Sequence, residues 1–314
     1  MSLSKSIYKK IKIFKNFGFK VGMADLLAAN IFPPSLRLHD KVKLAWLKEN
    51  FAYVIEKYKY KNFAPDASQL KAIEPAPIWV MWLQGYDAMP ELVKACYASI
   101  KANCADHPVK LITSENLRDY INLPEHVFNL LNAGKMTRNA FANLCRLYLI
   151  YTYGGLWLDA TIFVTSPIPD EIFNLPFYTI NYDFNLNRRN VSLGRWTTFL
   201  LASQAGNILP QFVLEFMSEY WRVKDLLIDY ALFDYSIATA YNELPECRNL
   251  INAVPQSNPD LRKLNGLLNS EFNQDKFNEL TLNTQFFKLT YKQKFNKLIN
   301  NRKTFYAHVL ESYK

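Results

Sequence analysis

Tyr153-Gly154-Gly155-Leu156-Trp157-Leu158-Asp159-Ala160-Thr161-Ile162-Phe163-Val164 is the stretch that decides the fold. From Leu156 to Val164 it is apolar except at Asp159 and Thr161, and Pro167 and Pro169 close it, so it reads as one buried strand. Alternation puts Trp157, Asp159, Thr161 and Phe163 on one side. A carboxylate in so oily a strand is costly if buried unpaired, so Asp159 should face a cation or a metal, or sit at an opening. It lies near the carboxyl-terminal half of the strand, and open α/β sheets bind ligands outside the carboxyl ends of their strands. A purely structural ion pair with Arg146 is the simpler alternative. Gly154-Gly155 permits a tight turn and close backbone approach to a ligand, although glycine also ends helices routinely.

Immediately upstream, Thr137 to Tyr153 has the periodicity of a helix. Asn139, Asn143 and Arg146 fall at i, i+4 and i+7 on one face, opposite Phe141, Leu144, Leu147, Tyr148 and Tyr151. Such a polar stripe needs either water or a partner. Further back, Ile78-Trp79-Val80-Met81-Trp82-Leu83 is a compact apolar run behind the Pro75 and Pro77 link, and Val109 to Ile112 is a second short strand. Pro90 opens a helix between them that runs to about Lys101. The alternation of strands and helices predicts an α/β fold with a mostly parallel sheet.

Around this block the chain reads as three regions. Residues 1–74 are mostly helical with a break at Pro33-Pro34, residues 75–269 form the α/β domain, and residues 270–314 form a helical tail packed on it. Leu209 to Tyr241 reads as helical. With half of 314 residues apolar, disorder is excluded for the body of the chain. No apolar run approaches the roughly 18 residues of a membrane span, and the first residues carry no signal-peptide pattern. Cys96, Cys104, Cys145 and Cys247 form no Cys-x-x-Cys pair and read as reduced thiols in a cytoplasmic protein.

The formal charge of +9 is concentrated at the start, where Lys5, Lys9, Lys10, Lys12, Lys15 and Lys20 precede the first acid, Asp25. On a helical wheel Ile7, Ile11 and Phe14 share one face and Lys5, Lys9 and Lys12 the other. That suits a helix lying on an anionic membrane surface, and equally one packed on the body by its apolar stripe. No nucleic-acid-binding signature accompanies the charge, so nucleic acid is not an expected partner.

Asn143-Leu144-Cys145-Arg146 followed by Tyr153-Gly154-Gly155-Leu156-Trp157-Leu158-Asp159-Ala160-Thr161 resembles the core of the bacterial capsular polysaccharide synthesis glycosyltransferases. These are relatives of glycosyltransferase family 32 and, more distantly, of the large clostridial glucosylating toxins. Ile78 to Gly85 with Met89-Pro90, Trp196-Thr197-Thr198-Phe199, Trp221 with Leu227 to Asp234, and Phe287-Lys288-Leu289-Thr290-Tyr291-Lys292 are similar to the same family, over roughly residues 75 to 295. The resemblance implies a GT-A-type, Rossmann-like domain flanked by helices. It also implies transfer from a nucleotide-sugar donor, UDP-linked by expectation, to a glycan or lipid-linked glycan acceptor at the inner face of the cytoplasmic membrane, with retention at the anomeric carbon.

Roles follow by position. Trp82 stacks on or flanks the base, with Gln84 beside it, and Asn143 stands where the wider family has an acidic sugar ligand partnered by the arginine matching Arg146. Asp159 stands in the family's Asp-x-Asp metal motif for Mn²⁺ or Mg²⁺, but Thr161 replaces the second acid, which weakens the protein's share of the coordination. Asn139, Gly154, Gly155, Trp157, Asp229 and Asp234 complete the expected donor and acceptor contacts, although both acids could equally be solvated on a helix. The missing acid also leaves room for a non-catalytic sugar-binding or scaffold protein, and a capsule sugar-phosphate transferase is a further alternative. The four histidines lie outside these motifs.

Overall fold

The computed structural model describes residues 3–30, 34–60, 68, 70–182 and 190–313. Three helices come first: α1 (Leu3–Asn30), α2 (Pro34–Asn50) and α3 (Ala52–Tyr60). The α/β body opens with β1 (Ile78–Met81), α4 (Glu91–Ala102) and β2 (Val109–Ile112), followed by α5 (Leu117–Tyr120), α6 (Glu125–Asn132) and α7 (Arg138–Thr152). Next come β3 (Gly155–Leu158), β4 (Ile162–Val164), α8 (Glu171–Asn174), β5 (Phe177–Thr179) and β6 (Leu200–Ser203). Four helices follow: α9 (Ile208–Val223), α10 (Leu232–Glu243), α11 (Pro245–Asn252) and α12 (Lys263–Leu267). The chain closes with α13 (Gln274–Thr281), β7 (Phe286–Lys288), a β8 (Leu298–Ile299) and β9 (Arg302–Lys303) hairpin, and α14 (Phe305–Glu311).

The five-stranded sheet has the order β2-β1-β3-β6-β5. β1 pairs in parallel with both β2 and β3, while β6 runs antiparallel to its neighbours β3 and β5. Four strands therefore share one direction and β6 opposes them, which agrees with the mostly parallel α/β sheet expected. From β1 the chain moves to β2 on one side and returns to β3 on the other. The carboxyl ends of β1 and β3 thus flank a topological switch point, where such sheets open a crevice.

The expectations for the central strand and for the tail needed correction. The single strand read over Leu156 to Val164 is two strands of two different sheets, broken by a turn in which Ile162 N–H donates to Asp159 O at 2.9 Å. Continuous apolarity reports burial on both faces and does not register a change of sheet. Phe163 enters a second apolar cluster with Leu92, Leu264 and Phe287, while Ile162 and Val164 stay in the main core. The tail expected to be helical also contributes strands, because β7 pairs antiparallel with β4, setting Lys288 opposite Ile162.

The span from Leu209 to Tyr241 is likewise interrupted: α9 ends at Val223 and α10 starts at Leu232. In α1 the buried stripe is Ile13, Phe17, Val21 and Ala24, whereas Ile11, expected on the apolar face, is 58% exposed. Gly18 has non-helical torsions (φ 85°, ψ 173°) inside α1, so one helical wheel does not describe both arms. Side chains of Lys5, Ile7 and Lys9 lie outside the described residues. α1 packs on α2, and α2 on α10, so the N-terminal helices cover the α9–α10 layer. Among the described residues no helix is long and apolar enough to cross a membrane.

Candidate active site

α7 aims its polar face because its ends are well specified. Thr137 caps it, accepting from Ala140 N–H at 3.2 Å, and Gly154 at φ 75° takes the left-handed position past its end. The apolar face buries Phe141, Leu144 and Leu147, which turns Asn139, Asn143 and Arg146 toward the crevice at the carboxyl ends of β1 and β3. All three line a cleft of about 830 Å³, together with Trp82, Trp157, Asp159, Thr161 and Asp234.

Asp159 follows the last residue of β3 and is anchored by its own N–H, which donates to Phe199 O at 2.9 Å. Its Oδ1 accepts from Arg146 Nη2 at 2.8 Å and from Trp157 Nε1 at 2.9 Å. Its Oδ2 accepts from Lys288 Nζ at 2.7 Å, and the same ammonium donates to Thr161 Oγ1 at 2.8 Å. Burial alone would raise the Asp159 pKa, but the charges of Lys288 and Arg146 hold its carboxyl below the usual range, so it is ionised. Arg146 is 5% exposed, donates also to Thr198 O, and lies 4.8 Å over the Trp157 ring and 5.4 Å over Phe233. The planar guanidinium is thus clamped between rings and carboxylate.

The acid and arginine that the sequence brought forward therefore meet, as the simpler structural alternative required, and they do so on the wall of a cleft. The metal expectation fits the donor set poorly. Both oxygens of Asp159 are engaged, and Thr161, the only other expected ligand, shares the Lys288 ammonium with it. Among the described residues no group of three or more His, Cys, Asp or Glu could hold a metal ion. His308, from the tail, stacks on Phe272 at 4.0 Å and does not line the cleft.

Other expected contacts divide. Asp234, in the first turn of α10, lines the cleft and accepts from Trp196 Nε1 at 3.1 Å. Burial pushes its pKa up to about 6 against the pull of that bond and of Arg146. Asn139 donates to the Tyr230 hydroxyl at 3.1 Å. Asp229 does not line the cleft; it pairs with Lys43 at 2.5 Å and serves to dock α2. Gln84 is exposed outside the cleft wall. Gly154 and Gly155 lie at the opposite end of β3 from Asp159. A Cβ on Gly155 would stand 2.1 Å from Pro77 O, so the close approach this glycine permits is to the neighbouring backbone rather than to a ligand.

Several lining residues carried no expected role: Phe199, Tyr230, Arg262, Lys288, Tyr291 and Lys292. Tyr291 meets Trp82 edge to face at 5.6 Å, which completes an aromatic corner. The lining carries four cations, Arg146, Arg262, Lys288 and Lys292, against two acids, Asp159 and Asp234. Three of those cations come from beyond residue 260: Lys288 and Lys292 lie in the Phe287–Lys292 stretch that carried part of the family resemblance but no assigned role, and no sequence signal pointed to Arg262.

The profile of a family described as "Capsular polysaccharide synthesis protein" matches residues 26–309. No curated protein matches the chain significantly. A solved structure titled "PaToxG Glycosyltransferase" is similar over 80% of this chain and 98% of that chain, at 10% identity and a TM-score of 0.39, too remote a likeness to argue from.

Proposed function

We propose that this chain, which belongs to the family of capsular polysaccharide synthesis proteins, is a glycosyltransferase that moves a sugar from a nucleoside diphosphate, UDP by expectation, to a surface polysaccharide acceptor. The observation that carries this reading is the cation-rich cleft at the switch point of the sheet, with the Asp159–Arg146 pair on its wall and the Trp82–Tyr291 corner beside it. A sugar diphosphate presents an anion, a polar ring and a flat base. Fixed cations stabilise negative charge developing on a departing diphosphate, amides such as Asn143 bond sugar hydroxyls, and exposed aromatic faces take a base. Retention at the anomeric carbon is part of the proposal and rests on the family resemblance.

The acceptor is a growing glycan, free or lipid-linked, and the N-terminal helices favour a membrane-surface setting. α1 exposes Ile11 and Phe19 (73%) near Lys12, Lys15 and Lys20, an apolar and basic combination suited to anionic headgroups.

The test is turnover by the purified full chain across a panel of nucleotide sugars, with the released nucleotide identified. Release of a nucleoside diphosphate, reduced by about 100-fold or more in Asp159→Asn, is the expected result. Release of a monophosphate would instead indicate sugar-phosphate transfer, and absence of any turnover a binding or scaffold role.

A further inference from the structure

Lys288 stands where the sequence places a metal. Its ammonium touches Asp159 Oδ2 at 2.7 Å and Thr161 Oγ1 at 2.8 Å, the two atoms the family resemblance offers to a divalent cation. The placement is built by the fold. β7 pairs with β4, Leu289 N–H donates to Thr161 O at 3.0 Å, and Phe286 and Phe287 on the same strand are fully buried. The side chain is 18% exposed and lies 4.9 Å over the Phe199 ring, so its reach is restricted. A divalent ion at these two oxygens would sit against a fixed positive charge, and with one carboxylate available it would have little to offset that repulsion.

We propose that Lys288 is a resident cation in place of a divalent metal, and that with Arg262 and Lys292 it binds the diphosphate of the donor without one. This rests on the glycosyltransferase reading for the identity of the donor, but not for the anion binding itself. In the transfer, the bond from the anomeric carbon to the diphosphate oxygen breaks and its electron pair stays on the diphosphate. The acceptor hydroxyl oxygen forms the new bond to that carbon, and its proton passes to the departing diphosphate and then to water. Lys288 supplies charge to the leaving group throughout and neither gains nor loses a proton. Asp159 is thereby a positioning residue: it holds Lys288 on one oxygen and Arg146 on the other.

The test uses the full chain in two arms. In the first, Mn²⁺ is titrated into ligand-free protein and free Mn²⁺ is read by electron paramagnetic resonance. Wild type should take up no stoichiometric Mn²⁺, whereas Lys288→Met, which frees Asp159 Oδ2 and Thr161 Oγ1 while Oδ1 stays on Arg146, should take up one ion that Lys288→Met/Asp159→Asn loses. In the second, inorganic pyrophosphate and UDP are titrated calorimetrically in chelator. Wild type should bind both; Lys288→Met should weaken them by about tenfold or more, the scale of one charge-assisted phosphate contact. Lys288→Arg, with the charge kept, should retain most of the affinity, and unchanged circular dichroism controls for folding. Tight Mn²⁺ uptake by wild type that Asp159→Asn abolishes, or pyrophosphate binding that requires Mn²⁺, overturns the proposal. If pyrophosphate binds in chelator but no nucleotide sugar is bound or turned over, the glycosyltransferase reading falls and the Lys288 assignment stands.

Discussion

Arg146 on α7 and Asp159 past the end of β3 are joined by a 2.8 Å ion pair that fixes a helix to a sheet at the mouth of a cleft. The guanidinium is 5% exposed and the carboxylate 28%, so the pair is enclosed on the protein side and open on the other. Such a pair is both a structural tie and a surface available to a ligand.

Removing the acid tests both roles. Asp159→Ala leaves Arg146 and Lys288 without their shared carboxylate, and should cost about 2 kcal/mol or more, short of a fully buried pair because the site is partly open. Urea denaturation reads this loss. Lys288→Met should cost less, because removing the ammonium leaves a carboxylate still paired with Arg146.

Asp234 should give a pH signature. Burial raises its carboxyl from 3.8 to about 6 in the folded chain, so the folded state holds that proton more tightly than the unfolded one. The associated stability is fully present below about pH 4 and lost as pH rises through about 6. Asp234→Asn, which retains the oxygen that accepts from Trp196, should therefore unfold at a higher temperature than wild type at pH 7.5 and match it near pH 4. Equal melting temperatures at pH 7.5 would contradict the buried, charged carboxylate.

The docking of the N-terminal helices should weaken in alkali. His39 lies 2.8 Å from Asp25, 3.6 Å from Asp40 and 3.8 Å from Asp229, with Lys43 opposing. Burial would lower its pKa, but hydrogen bonds to Asp25 and Asp40 raise it from 6.5 to about 9. A raised histidine contributes stability that is complete below about 6.5 and lost as pH climbs through about 9. Hydrogen exchange in α1 and α2 should accelerate from pH 7 to 9.5 beyond the intrinsic rate, and His39→Gln should abolish that excess.

Gly155→Ala should be among the most damaging single changes. The residue has φ 97°, and the added Cβ would meet Pro77 O at 2.1 Å, so β1 and β3 would have to part. Strain and overpacking together should cost about 3 kcal/mol or more. Wild-type yield and melting temperature in this variant would contradict the packing described.

Membrane association is read separately. Lys12, Lys15 and Lys20 changed to Glu, with Phe19→Ser, should remove co-sedimentation with anionic liposomes while leaving the Ile13, Phe17 and Val21 packing stripe intact. Retention of binding by this variant would place the α1 surface outside any lipid contact.

Local patterns made the α/β class, the strand at Ile78 and the polar face of α7 legible, because burial and helical period are written every two to four residues. They mislead where burial is two-sided or where the body sets the packed flank of a helix. The run through Asp159 looks like one strand because both of its sheets are enclosed, and α1 buries Ile13 and Phe17 rather than Ile11 because the wheel of an isolated helix does not say which flank the body packs against. Asp229 and Asp234 look alike on paper. One is bonded to Lys43, outside the cleft, and the other lines it.

By itself the sequence determined that a carboxylate interrupts an oily β segment just after an arginine-bearing helix, since both lie within one αβ unit and are close along the chain. Only the tertiary structure decided what that carboxylate meets on its other side. Lys288 is 129 residues away and arrives through the pairing of β7 with β4, a partnership set by the shared burial of Phe163 and Phe287. No period in a chain encodes which distant strand completes a ribbon; that choice belongs to the packing of the whole core.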